Sequence, residues 1–460
     1  MRLSVETLVS NYEQYLNESI TVRVRVHNVR GKGSAAFLVL RDGIDFIQAC
    51  AFASETTPKP LVKALQKLSR ESILDVTGVL SPVEEEIHTA TLKKAELHIQ
   101  SYNVVVQPNP RLVFTVEDAM HKEENEEEDK VLVSQNTRLN ARALDLRTPA
   151  NHAIFELQSH TCRLFREFLA NNKFMEIHTP KLIAGSSEGG AAVFRLKYFD
   201  RDACLAQSPQ LYKQMAVASG FSRVFEIGPV FRAENSFTHR HLCEFVGLDI
   251  EMEIFDHYHE VLDMLENLFA YIFNGLHEQC GNLIETVRSQ YHSEPLQLKW
   301  PAVRITFAEG VQMLRDAGVD VGDFDDLSTV NEKLLGRLVK EKFQTDFFIL
   351  DRFPSAIRPF YTMADPQDPN YSYSYDLFLR GEEITSGAQR VHDAETVSRR
   401  AAECGIDVAT LKYYIEAFEY GAPPHGGAGI GLERLVMLFL GLNNIRKTSM
   451  YVRDPQRIFP

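Results

Sequence analysis

An α+β fold in two folded parts is predicted by three observations. Residues 20 to 105 carry strand-like periodicity, a strongly acidic run follows, and long helices mixed with strands begin near residue 141. In the first part, Val22, Val24 and Val26 alternate with Arg23, Arg25 and His27, the period of a strand with one buried face. Further strands are predicted over Ala36–Leu40, Asp45–Phe52, Ile73–Val79 and Ala95–Val106. Turn-forming pieces such as Arg30-Gly31-Lys32-Gly33-Ser34 and Arg41-Asp42-Gly43 separate them. A helix over Pro60–Leu68 falls between the third and fourth strands. Five strands interrupted by one helix suit a small Greek-key barrel of the OB type.

The run Glu123-Glu124-Asn125-Glu126-Glu127-Glu128-Asp129 reads as a solvated hinge whose charge would repel phosphates. Beyond it, Ile154, Leu157, Leu164, Phe165 and Phe168 mark a helix over Asn151–Asn172. Strands are predicted at Val224–Ile227, Phe245–Glu253 and Asp346–Leu350. Strands mixed with long helices, without βαβ alternation, favour an α+β domain. The expected division is a barrel over 1–105, a linker over 106–140 and a second domain over 141–460.

A chain of 460 residues, 44% hydrophobic, buries large cores. Its formal charge of -14, from 63 acidic and 49 basic residues, argues against indiscriminate DNA coating but permits a local basic face. Cysteines 50, 162, 204, 243, 280 and 404 form no C-x-x-C pair, so neither a zinc site nor a disulfide scaffold is expected. Met1 to Glu6 has no apolar signal core, and Leu435–Leu440 is too short to span a bilayer. A soluble intracellular protein with no membrane partner is expected.

Four clusters carry chemistry. The first runs from Phe225 through Arg232, Glu234 and His241 to Phe245, with the layout of two antiparallel strands joined by a long polar loop. Arg232 and Glu234 share strand parity and face one side; a guanidinium fork suits phosphate, while the alternative is a surface hairpin with an ion pair. The second, Pro424-His425-Gly426-Gly427-Ala428-Gly429-Ile430-Gly431-Leu432-Glu433-Arg434, is not a dinucleotide fingerprint, because Leu432 stands where the third glycine belongs and no strand precedes it. Arg434 begins a helix apolar on nearly every face, so its charge needs either an anionic ligand or a buried carboxylate. The third offers Asp376, Glu383 and Ser386 as hard oxygen donors of the kind Mg²⁺ takes alongside substrate phosphates. The fourth, Gly185-Ser186-Ser187-Glu188-Gly189-Gly190 with Gln207 to Lys213, is either a lid or an ordinary loop.

Taken together, these residues resemble the class II aminoacyl-tRNA synthetases. The Pro180 segment resembles motif one, at the dimer interface of a homodimer. Phe231-Arg232-Ala233-Glu234 resembles motif two, and Gly429-Ile430-Gly431-Leu432-Glu433-Arg434 resembles motif three. With an N-terminal barrel, this is the subclass (IIb) of aspartyl, asparaginyl and lysyl enzymes, and the wording is most similar to the eukaryotic cytosolic aspartyl type. The resemblance implies that Arg232 holds the ATP α-phosphate, with His241 and Arg434 on the γ-phosphate. It places Phe245 on adenine and Glu234 near the adenine amino group or the tRNA end. Mg²⁺ would sit on Glu383, Ser386 and Asp376. Ser187 and Glu188 would close over the amino acid, Gln210 and Asp249 would place its α-amino group, and Lys213 with Arg390 would bind its side-chain carboxylate. In the barrel, Phe37 would stack an anticodon base while Gln48 and Glu96 read base edges; the other reading of Phe37 is a core aromatic. Ser236 and Thr238 would touch the acceptor end.

Two cations converging on one pocket need an anion, which favours L-aspartate over asparagine and excludes lysine. The implied activity is ATP-dependent aspartyl-adenylate formation, then transfer to tRNA-Asp. The rivals are an asparaginyl enzyme, an ammonia-dependent asparagine synthetase, which would not need residues 20 to 105, and an inactive RNA-binding paralogue. Relatives often carry a Lys-rich N-terminal extension; here the barrel begins near residue 20, so weaker tRNA affinity is expected. Phe459 stands where relatives are often more basic.

Overall fold

Alternation in the first strands closes into a barrel. A computed structural model of the chain describes residues 1–109, 111–122, 131–185 and 193–460. They divide into two compact units, Met1–Ala153 with Glu285–Tyr291, and Ile154–Ile284 with His292–Pro460. The acidic run over 123–129 lies outside the described residues.

In the first unit a short strand β1 (Arg2–Leu3) precedes β2 (Ser19–Lys32), β3 (Ala35–Asp42), β4 (Asp45–Phe52), β5 (Ile73–Pro82) and β6 (Ala95–Val106). Their order is β1-β2-β3-β4-β6-β5, and β2 also pairs β5, which closes the last five into a barrel. Ile20, Val22, Val24 and Val26 all point inward. The turns are tighter than expected: β2 runs through Lys32, leaving only Gly33 (φ +67°) and Ser34 between strands, and Gly43 (φ +58°) turns the next pair. A left-handed backbone there is cheapest for glycine. The helix between β4 and β5 spans Lys59–Leu65.

The first barrel strand begins at Ser19, close to the expected residue 20, but the chain before it also packs into the core. A helix over Val5–Asn11, capped by the Ser4 hydroxyl accepting from the Thr7 N–H, buries Val5 and Leu8 completely in the barrel core. A charged pair is also deeply buried. Arg41 donates from Nη2 to both Glu71 oxygens at 2.8 and 2.9 Å and from Nη1 to His27 Nδ1 at 2.9 Å. Burial and the neighbouring Arg41 push the His27 imidazole down to about 4, which keeps it a neutral acceptor.

The second unit holds β7 (Met175–Glu176), then a small sheet of β8 (Leu182–Ile183), β9 (Arg195–Tyr198) and β10 (Arg201–Leu205). The remaining strands are β11 (Arg223–Phe231), β12 (Glu244–Glu253), β13 (Val303–Thr306), β14 (Phe347–Asp351), β15 (Ser374–Leu379), β16 (Glu382–Gln389) and β17 (His425–Gly431). They form an eight-stranded sheet in the order β13-β14-β15-β16-β17-β12-β11-β7, antiparallel except for its two edge pairs. The expected helix spans Pro149–Asn171, and β11 with β12 form the expected antiparallel pair. The helix expected from Leu435 begins at Leu432, so Arg434 lies in its first turn. Among the described residues no helix is long and apolar enough to cross a membrane.

Removing Glu71 leaves the Arg41 charge buried with only neutral partners and a like-charged neighbour. Glu71→Ala should destabilise the chain by about 3–5 kcal/mol in denaturant unfolding followed by circular dichroism; a loss below about 1 kcal/mol would contradict the buried pair.

Candidate active site

The glycines of β17 themselves form a strand at the heart of the sheet, and the element before them is a helix (Lys412–Glu419), so no strand precedes the motif, as expected. Space explains them. A Cβ on Gly427 would lie 2.1 Å from the Ile250 oxygen and 2.3 Å from Glu251 Oε2, and one on Gly387 would lie 2.3 Å from the Tyr375 ring. Where Gly427 on β17 and Gly387 on β16 lack side chains, a carboxylate and an aromatic ring pack flat on the sheet. Above it opens a cavity of ≈ 370 Å³. Its charged lining comprises Arg232, Arg240, Arg358, Arg390 and Arg434 with Glu234, Asp249, Glu383 and Glu433, an excess of guanidinium suited to an anionic guest.

Lys213 and Arg390 do converge, but on a residue of the chain itself. Lys213 Nζ lies 3.3 Å from Glu251 Oε2, and Arg390 donates from Nε to Glu251 Oε1 at 2.9 Å. Burial alone would raise the fully buried Glu251 carboxyl, yet Arg390 and then Lys213 outweigh it and hold it below the usual carboxylate range. The expectation of two uncompensated cations is therefore corrected. Lys213 also donates to Asp249 Oδ1 and to the Ile250 and Ala428 oxygens, and it is not among the lining residues. Arg390 does line the cavity, held in plane by Glu251 and by Nη2 donating to the Gly427 oxygen at 2.9 Å.

Gln210 and Asp249 line the same wall. Gln210 Nε2 donates to Gln214 Oε1 at 2.9 Å, and Tyr414 Oη donates to the same oxygen at 3.0 Å. His425 Nδ1 donates to the Pro423 oxygen, which leaves Nε2 to accept from Gln214 Nε2 at 3.0 Å. This buried relay fixes the amide that Gln210 presents.

Arg232 and Glu234 lie past the end of β11, so strand parity does not orient them; both nonetheless line the cavity. The Arg232 guanidinium sits 5.7 Å over the Phe245 ring. Arg434 donates only to the main-chain oxygens of Glu383 and Arg240, each at 3.2 Å, and among the described residues no carboxylate pairs with it. Of the two ways to satisfy that charge, the internal pair is absent. Placed in the first turn of a helix, where N–H groups also point outward, it favours an anion there. The neighbouring Glu433 accepts from the Val246 N–H on β12, and burial pushes its carboxyl up to about 7. His241 also lines the cavity, with the Ser236 and Thr238 hydroxyls 3.2 and 2.6 Å from its Nδ1.

The oxygen donors meet across β15 and β16. Asp376 pairs in register with Ser386, and a register shift between Leu377 and Phe378 sets Phe378 opposite Glu383. Glu383 and Ser386 differ by three positions and would face opposite ways in a regular strand; the bulge lets both line the cavity. Asp376 does not line it. Its Oδ2 pairs with Arg358 Nη2 at 2.9 Å, while its buried Oδ1 has no hydrogen-bond partner. Burial, reinforced by Glu383, pushes its carboxyl up to about 7 against the pull of Arg358. An orphaned carboxylate oxygen beside two further oxygen donors fits a hard divalent cation.

On the barrel, Ala36, Leu38 and Leu40 point inward, so Phe37 points outward and is 38% exposed; it is not a core aromatic. Its ring packs edge-on to Phe52 at 5.6 Å. Gln48 Nε2 donates to Glu96 Oε2 at 2.8 Å beside them. In the second unit Pro180 is exposed, between residues pinned to Glu226 by the Thr179 N–H and Lys181 Nζ. Ser187 and Glu188 lie outside the described residues.

Residues 134–455 match the family of class II tRNA synthetases (D, K and N), and residues 20–105 match the OB-fold nucleic acid binding domain. The chain belongs to the class II (D, K and N) tRNA synthetases. A human relative named cytoplasmic aspartate–tRNA ligase is 52% identical over 448 residues, 97% of this chain and 89% of the relative. The solved aspartyl tRNA synthetase from Entamoeba histolytica is 48% identical with a TM-score of 0.92, covering 100% of this chain and 93% of that one. An asparaginyl-tRNA synthetase from Pyrococcus horikoshii, complexed with asparaginyl-adenylate, shares 31% identity and a TM-score of 0.86, each chain covered to 97%.

Within that synthetase fold, sequence reasoning missed Glu251 and Arg358. Glu251 is two positions from Asp249 on one strand, so shared parity signals it. Arg358 comes from an irregular loop with no periodic signal. Gly427→Ala should lower stability by about 3 kcal/mol or more, since its Cβ would meet backbone. Gly429→Ala, meeting only the movable Asp249 Oδ1 at 3.1 Å, should lose less; equal melting temperatures for the two would contradict the packing of β17.

Proposed function

We propose that this chain aspartylates tRNA-Asp in the cytoplasm: it activates L-aspartate with ATP to aspartyl-adenylate and passes the aspartyl group to the tRNA 3′ end. The observation that carries this reading is Arg390, which lines the cavity and is locked in plane by Glu251 and Gly427. A planar guanidinium at fixed orientation suits a carboxylate. Asparagine would leave it facing a neutral amide, and lysine would be repelled. Relatives named aspartate–tRNA ligases support the same substrate.

In this reading the aspartate α-amino group sits against Asp249 and Gln210, whose amide is held by Gln214. Lys213 acts from behind the wall, donating to Asp249 and adding to Arg390 in holding Glu251 charged, and Ser187 and Glu188 cover the amino acid. The α-carboxylate attacks the ATP α-phosphorus in line, and pyrophosphate leaves. Arg232 stabilises charge growing on that phosphate, with adenine stacked on Phe245 and Glu234 near its amino group. Arg434 and His241 hold the far end of the triphosphate; before any phosphate arrives, burial, then Arg434 and Arg240, lowers the His241 pKa. The tRNA terminal hydroxyl then attacks the mixed anhydride, its end guided by Ser236 and Thr238. Catalysis is by positioning and electrostatics, without a nucleophilic side chain. Glu383 and Ser386, with Asp376 behind them, would hold Mg²⁺, which would supply charge neutralisation for the phosphates.

We assign residues 1–105 to anticodon reading through Phe37, Gln48 and Glu96, residues 106–140 to a hinge, and residues 141–460 to catalysis. A homodimer about the exposed edge at Pro180 is supported by the exposed Met175 and Leu182 beside it. Pyrophosphate exchange across the twenty amino acids should respond to aspartate alone; equal exchange with asparagine would sink the assignment. Arg390→Met should cut aspartate-dependent exchange by about 100-fold or more while ATP binding persists, and unchanged exchange would refute the pocket. Phe37→Ala should weaken tRNA charging by about 10- to 100-fold, the worth of one stacked base, and leave exchange intact; an equal fall in both would refute the separation of tasks.

A further inference from the structure

Strand pairing on the barrel gathers three donors that the tRNA chemistry does not all need. Cys50 on β4 is the register partner of His98 on β6, and Glu96 lies two positions before His98 on the same face. Cys50 Sγ donates to Glu96 Oε1 at 3.3 Å, and His98 Nε2 lies 3.1 Å from that same oxygen. All three donor atoms fall within 4.8 Å of one another.

We propose that Cys50, Glu96 and His98 form a three-ligand site for Zn²⁺ on the outer face of the barrel. Two of the three donor spacings are close to those of a zinc site, while sulfur and nitrogen, within 4.8 Å, would close to about 3.6 Å. Tetrahedral zinc with ordinary bond lengths separates sulfur from oxygen by about 3.5 Å and nitrogen from oxygen by about 3.3 Å, each only about 0.2 Å beyond the spacing here. A thiolate, an imidazole and a carboxylate are a borderline-soft set that selects zinc over magnesium. The carboxylate is already oriented, because Gln48 Nε2 holds Glu96 Oε2 at 2.8 Å and leaves Oε1 towards the other donors. Cys50 is buried while the His98 side chain is 46% exposed, so the fourth position opens to solvent. Binding exchanges the thiol proton for the metal: the S–H bond breaks, the proton leaves to water and an S–Zn bond forms. No C-x-x-C pair signals such a site in the sequence, since these ligands come from two strands 46 residues apart.

Glu96 is shared with the anticodon-reading role proposed above, so the test contains no RNA and its outcome is independent of that reading. The full chain, freed of metal with a chelator, is titrated with Co²⁺. One equivalent should give a near-ultraviolet thiolate-to-cobalt charge-transfer band, and Zn²⁺ should abolish it. Cys50→Ser should remove the band, and His98→Ala should weaken cobalt binding at least tenfold. Gln48→Ala, which removes no ligand, should weaken it about 10- to 100-fold. Should Cys50→Ser fail to fold, the other two, whose side chains lie nearer solvent, decide. No band in the wild type, a band persisting without Cys50, or full affinity in both remaining variants would overturn the site.

Discussion

One buried carboxylate organises the second unit. Glu251 carries no exposed surface, and a lone charge there would be untenable. Arg390 and Lys213 compensate it, and each is thereby pinned: Arg390 into the plane of the cavity wall, Lys213 and its helix (Gln210–Ala218) against β12. A guanidinium oriented before any guest arrives spends no binding energy on ordering. The same helix presents Gln210, so a single charge balance positions two residues of the cavity wall.

Two backbone devices complete the wall. The glycines of β17 leave room for Glu251 and Asp249 beside a neighbouring strand, so acidic groups reach depths normally taken by apolar side chains. The register shift opposite Glu383 re-aims one carboxylate towards the cavity. Both are backbone solutions to an electrostatic problem. Arg434, satisfied only by carbonyl oxygens, and the excess of guanidinium then give the cavity its preference for anions.

Much of this was legible because the barrel strands alternate cleanly: the expected span for β4 matches to the residue, and Phe37 is outward because Leu38 and Leu40 are inward. The motif residues Arg232, His241, Phe245 and Arg434 all reach one cavity. What escaped was non-local. The helix over Val5–Asn11 is short and belongs to the barrel through Val5, Leu8 and the partly buried Val9. The glycine strand has no periodicity to read, since glycine has no side chain to alternate. Two cations in a sequence also cannot reveal that a third residue already answers them, and so Lys213 was expected in the cavity rather than behind its wall.

Strand β17 stands between β16 and β12, although it is the last strand of the sheet to be synthesised. Until residue 431 has left the ribosome, the sheet exists as two separate pieces, each with an open inner edge of unpaired N–H and C=O groups. Neither edge can be satisfied by anything made earlier in the chain, so the nascent protein must keep both from pairing elsewhere. The strand whose glycines make room for the buried carboxylates is also the one that joins the halves, so a ribosome that stalls before it leaves a chain without a continuous sheet.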